Sequence, residues 1–190
     1  MKTKIWWPLV ASFLVLVVAL GFAGLVQARG LSGAQFDQPL LITSIGQSAD
    51  GQMVRVLAQR GSLNFSYDSL AGADAVSGYR TLVLVVGGSS KGLGAAGIDS
   101  DQEERRAQAL IDGAKSSGAQ IIVMHVGGEG RRGELTDRFI RSTAPRADYL
   151  IVVADGNADG IFSQLAGDSI PADFPGSVAE AGGYLKAACR

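Results

Sequence analysis

Four clusters of residues in this chain bring together groups that could do chemistry. Gly88, Ser89, Ser90 and Lys91, continuing to Gly92 and Gly94, put backbone N–H groups, two hydroxyls and an ammonium into one short loop. Glycine there lets the backbone approach a ligand closely, and donors of this kind suit a phosphate or carboxylate. His125 is followed by Gly128, Glu129, Arg131 and Arg132. A histidine beside a carboxylate can move a proton, and arginines at the start of a helix can hold an anion. Asp155 and Asn157 lie in "ADGNADG", and Ser44, Gln47 and Ser48 lie in "TSIGQS". The expected ligand contacts come from all four clusters. His125, with Glu129 or Asp155, is the candidate acid–base pair.

Each motif has a limit. Gly88, Gly92 and Gly94 have the G-x-x-x-G-x-G spacing of the nucleotide loop of short-chain dehydrogenases. The loop follows the third apolar segment rather than the first. No Tyr-x-x-x-Lys pair follows, and "VMHVGG" has no acid to bind a ribose. No nicotinamide cofactor is expected, and no other cofactor is implied. Lys91 does not complete a G-x-x-x-x-G-K-[ST] phosphate loop. It also stands where a G-x-S-x-G nucleophile elbow needs glycine, so no hydrolase triad can be assigned. Asp155 to Gly160 begins like a calcium loop, D-x-N-x-D-G, but Ala166 occupies the twelfth position, where a bidentate Glu belongs. No metal site is assigned.

These clusters need elements to position them, and the hydropathy pattern supplies them. "LLITS" at 40–44 is a short apolar run with strand chemistry, and "TLVLVV" at 81–86, "QIIVMHV" at 120–126 and "YLIVV" at 149–153 read as strands buried on both faces. Leu63, Phe65 and Tyr67 alternate with polar residues, as on an edge strand. Between the strands lie helical patterns. Ser48 is expected to cap one, with Asp50 in its first turn, Met53, Val54 and Leu57 facing inward, and Gly61 as its stop. Ser100 and Glu103 form a candidate capping box ahead of Ala107, Leu110, Ile111 and Ala114. Leu135 and Phe139 mark a short helix ending before Pro145. Asn157 can cap another, with Ala158, Ile161, Phe162 and Leu165 inward. Ser177 to Ala188 is helical but weakened by Gly182 and Gly183.

Alternating strands and helices predict an α/β fold: a three-layer, doubly wound parallel sheet of about five strands. The expected order is flavodoxin-like, 2-1-3-4-5, with a Rossmann-like order as the alternative. All four clusters leave the carboxyl ends of strands, where such sheets bind ligands. The loops of the opposite edge, "KSSGAQ" and "APRAD", look like plain connections.

The N-terminus has its own signal. Lys2 and Lys4 precede an uncharged apolar run from Ile5 to Val26, then "VQA". This pattern suits a secretory signal cleaved after Ala28, or an uncleaved membrane anchor. Residues 1–28 are therefore expected to be a signal peptide or anchor, 29–38 a tether, and 39–190 one α/β domain outside the cytoplasm, in the periplasm or on the outer face of a membrane. Cys189 is the single cysteine, so no intrachain disulfide can form. A formal net charge of -1 gives no basic face for nucleic acid.

"LLITSIGQSADGQMV", "VVGGSSKGLGAAGID", "GAQIIVMHVGGEGRRGELTDRFI" and "DYLIVVADGNADGIFS", in this order, resemble an exported bacterial family of domains of unknown function. The resemblance spans most of Pro39 to Gly167. It implies a signal sequence and a Rossmann-like fold, and it brings no known reaction. The expected function is exported binding of a small anionic metabolite, in partnership with a membrane transporter or sensor. The alternative is an extracytoplasmic enzyme built on His125.

Overall fold

The apolar segments pair side by side as parallel strands. In the computed structural model, which describes residues 30–190, β1 (Leu40–Ile45), β3 (Thr81–Val86), β4 (Gln120–His125) and β5 (Tyr149–Val152) form the middle of one sheet. β2 (Phe65–Tyr67) pairs with β1 at one edge, and a two-residue β6 (Ala172–Asp173) pairs with β5 at the other. The order is β2-β1-β3-β4-β5-β6, all parallel. The flavodoxin-like order is therefore present, extended by one strand too short to leave a periodic signal. The apolar run from Ile5 to Val26 and the expected cleavage point lie outside the described residues. Among the described residues, no helix is long and apolar enough to cross a membrane.

Alternation along each strand sends side chains to two separate cores. Leu82, Leu84 and Val86 join a layer with Leu110 of α3 (Ser100–Ser117), Phe139 of α4 (Glu134–Thr143) and Phe162 of α5 (Ile161–Ala166). Val83 and Val85 face the opposite layer, with Val54 of α1 (Asp50–Arg60) and Leu185 of α6 (Val178–Ala188). Each of these side chains contributes roughly 1.5–3 kcal/mol by leaving water, and burial on both faces is why the strands read as unbroken apolar runs.

Three local expectations are corrected. The stretch 29–38 is not a free tether over its described part. Phe36 is buried, its N–H donates to Ala188 O at 3.0 Å, and Leu31 N–H donates to Asp173 Oδ2 at 3.0 Å. The domain thus begins before Pro39. Asp99, not Ser100, caps α3, and its partner in the capping box is Gln102. Glu103 is fully buried instead and serves the sheet edge. On α1, Met53 is 36% exposed, while Val54 and Ala58 make the inner face.

Candidate functional site

All four loops leave the carboxyl edge of the sheet, and they touch. Gln47 forms an antiparallel bridge with Gly88. Ser48 N–H donates to Gly87 O at 3.2 Å, and Ser89 N–H to Gly46 O at 2.8 Å. The switch point between β1 and β3 is therefore knitted together by backbone, and α3 holds it from below. Glu103 accepts from Gly46 N–H at 2.7 Å and from Gln47 Nε2 at 3.0 Å, and pairs with Arg106 at 2.8 Å. Arg106 in turn donates to Ala71 O and Ser44 O. Gln47 needs this support because its φ of 57° is one that non-glycine residues rarely adopt.

A cleft of about 240 Å3 opens between the loop after β3 and the loop after β4. Gly88, Ser90, Arg131, Gly133 and Thr136 contribute to its lining, and Glu134 is the one acid there among the described residues. Gly88 N–H donates to Thr136 Oγ1 at 2.8 Å, which fixes the two walls together. The start of α4 has no side-chain cap, because Gly133 precedes it. Its first N–H groups therefore depend on partners from outside the helix.

Two arginines stand at this cleft in different states. Arg132 is committed: it pairs with Asp137 at 2.7 Å and Asp159 at 2.8 Å, and donates to Gly156 O at 2.6 Å. These bonds hold the Asp159 carboxyl down at about 2 and lower that of Asp137. Arg131 has a side chain 38% exposed, its Nε lies 3.5 Å from Asp50 Oδ1, and its guanidinium makes no hydrogen bond among the described residues. A guanidinium in this state keeps its planar fork of donors for a carboxylate or phosphate.

Asp50 is the residue whose importance the sequence understated. It is an ordinary first-turn acid by type, yet it is 1% exposed and neither carboxyl oxygen has a hydrogen-bond partner among the described residues. The loops cover it closely. A Cβ on Gly87 would lie 2.5 Å from Asp50 Oδ2, and one on Gly127 would lie 2.7 Å away. Buried carboxyl oxygens without partners are costly and rare. Ser44 Oγ, also buried, shares this condition.

The other expected contacts divide. Gly88, Ser90 and Arg131 line one cleft. Ser89 caps α2 (Ser90–Ala95) by accepting from Gly92 N–H at 3.0 Å, and Lys91 on α2 is exposed and outside the cleft lining. Ser48 is buried, and its Oγ accepts from Asp50 N–H at 3.3 Å, while Ala49 takes the cap position expected of Ser48. Gly160, not Asn157, takes the cap position of α5; Asn157 reaches its first turn from outside, accepting from Phe162 N–H at 2.9 Å, and Ala158 is exposed rather than inward. Asp155 and Glu129 are exposed.

His125 departs most from expectation. It is fully buried, packed at 5.5 Å against the Phe162 ring, with Nδ1 2.9 Å from Val86 O and Nε2 3.1 Å from Gly128 O. Both ring nitrogens face backbone carbonyls, only one of which a neutral imidazole can bond as donor, and the ring neither lines the cleft nor contacts Glu129 or Asp155 as an acid–base partner. It fastens β4 to β3 and shapes the loop that carries Arg131. Among the described residues, no group of three or more His, Cys, Asp or Glu converges as a metal centre would.

A larger, open groove of about 760 Å3 runs along the outside of α4, past Ser100, Leu135, Arg138 and Arg141. Arg138 there is held by Asp101 and Glu104, each at 2.6 Å, so the groove is a solvated ion-pair surface.

No curated protein matches the chain. Among solved structures it is similar to the psychrotrophic esterase EstA from Pseudoalteromonas sp., in a crystal form inhibited by monoethylphosphonate. The identity is 9%, the alignment covers 82% of this chain and 76% of that one, and the TM-score is 0.28. A likeness this loose carries no argument about chemistry. A family model matches residues 37–188, from the strap before β1 to the end of α6, and on that match the chain belongs to the family described as domain of unknown function DUF6305.

Proposed function

We propose that this domain binds a small anionic molecule in the cleft between the loops after β3 and β4, and that it does so outside the cytoplasm as the receptor part of a transport or sensing system. The observation that carries the binding half is Arg131. Its guanidinium is turned by Asp50 at 3.5 Å, it makes no hydrogen bond among the described residues, and it lines a cleft at the uncapped start of α4. Charge and free backbone donors then act on the same small volume. Neighbouring Arg132 is saturated by acids and stiffens the loop instead.

The export half is supported by Lys2, Lys4 and the uncharged run from Ile5 to Val26. Fractionation of cells producing the chain is expected to place it in the envelope, and recovery of the full-length chain as soluble cytosolic protein would contradict that. For the binding half, native mass spectrometry of the full-length protein, released gently from its source, is expected to detect a retained small anion. That species should be absent from the Arg131→Ala protein prepared alongside.

A further inference from the structure

We propose that the anion held by Arg131 also carries a protonated amine, and that Asp50 receives this amine, so that the ligand is a small zwitterion of the amino-acid type. This rests on the anion-site reading above and adds the ligand's second charge. Asp50 is 1% exposed, and its two oxygens accept no hydrogen bond among the described residues. A carboxylate is an acceptor only, so what it lacks is N–H or O–H donors. Arg131 Nε stands 3.5 Å away, beyond the range of a good hydrogen bond. An ammonium brings three donors on one compact charge and meets both oxygens at once.

The placement fits one ligand rather than two. Arg131 lines the cleft and stands 3.5 Å from Asp50, which lies just behind that lining beneath Gly87 and Gly127, so an amine reaches Asp50 when the Arg131 side chain turns aside and these loops part. An α-amino acid carries its acid and its amine one carbon apart, as an arginine and an aspartate in contact require. Ser44 Oγ, buried and without a partner, adds an unused hydroxyl on the face of β1 that packs toward α1. Glu134 is also acidic and at the cleft, but it is exposed, and a solvated carboxylate discriminates weakly.

The test is calorimetric titration of the full-length protein with acids matched in skeleton: L-alanine against propionate, and L-glutamate against glutarate, with sulfate as the amine-free anion. The amine-bearing member of at least one pair is expected to bind at least about tenfold more tightly, as a hydrogen-bonded charge pair would require. Asp50→Asn, checked for native circular dichroism, is expected to erase that preference while keeping the response to sulfate. Equal binding within both pairs, with sulfate binding still dependent on Arg131, overturns the zwitterion and leaves the anion site standing. A preference that survives in Asp50→Asn, or is lost only in Glu134→Gln, overturns the role of Asp50. Absence of any anion binding overturns both readings.

Discussion

Glu103 accepts a 2.7 Å hydrogen bond from the backbone of Gly46, a residue 57 positions earlier in the chain. One fully buried carboxylate on α3 thereby fixes the turn that leaves β1, and with it the strained Gln47 and the first turn of α1 that carries Asp50. Replacing Glu103 by Ala leaves Arg106 without its carboxylate partner and Gly46 without its acceptor. The expected loss is about 3–5 kcal/mol, read as a lower denaturant midpoint in equilibrium unfolding. A midpoint within error of the wild type would refute the role given to Glu103.

Gly92 supports the same turn from the other side. A Cβ there would collide with the carbonyl oxygen of Gln47. Gly92→Ala is expected to destabilise by ~1–3 kcal/mol, because backbone must move to make room. The Cβ side of Gly92 thus faces the Gln47 backbone rather than a ligand, and titration with NAD or NADP is expected to give no saturable heat. A saturable response to either cofactor would restore the dehydrogenase reading of this loop.

His125 is expected to behave as a structural residue. His125→Ala removes the ring from the carbonyls of Val86 and Gly128 and opens a void beside Phe162. The cost is roughly 2–4 kcal/mol in unfolding free energy. A variant as stable as the wild type would show that the ring is not the fastener described here.

The fold was legible because its signals are local. Strands buried on both faces are mostly apolar along their length, with only a few buried polar residues such as Thr43, Ser44 and His125, and right-handed crossovers then leave few orders to choose among. The site was only partly legible because its key facts are not local. By type, Asp50 is a helix-start acid and His125 an acid–base candidate. Burial beneath Gly87 and Gly127 makes the first an unsatisfied carboxylate, and burial against Phe162 makes the second a brace. Ser100 and Glu103 have the spacing of a capping box, but Glu103 is drawn inward by Arg106 and Gly46, and the cap moves to Asp99 and Gln102. Arg131 and Arg132 are adjacent and identical, and only the positions of Asp137 and Asp159 decide which one is spent.

Acid should weaken the loop that carries Arg131. Asp159 is held well below the ordinary aspartate value of 3.8, to about 2, first by its hydrogen bonds from Arg132. Asp137 is lowered by the same guanidinium. A carboxyl depressed in the folded state stabilises it above the ordinary value and loses that contribution as pH falls through the folded one. Thermal midpoints measured from about pH 5 to about pH 2 are expected to fall across this window, and Asp159→Asn is expected to flatten part of the fall. Identical profiles for the two proteins would contradict the pairing.

The most direct measurement is a titration of the full-length protein with sulfate and small carboxylates, repeated on Arg131→Ala. The account predicts saturable binding of at least one of these anions to the wild type. It predicts a loss of at least about tenfold in the variant, because a charge-assisted hydrogen-bonding fork is removed from the cleft. Equal affinity in the two proteins, or no binding of any anion to the wild type, would contradict it.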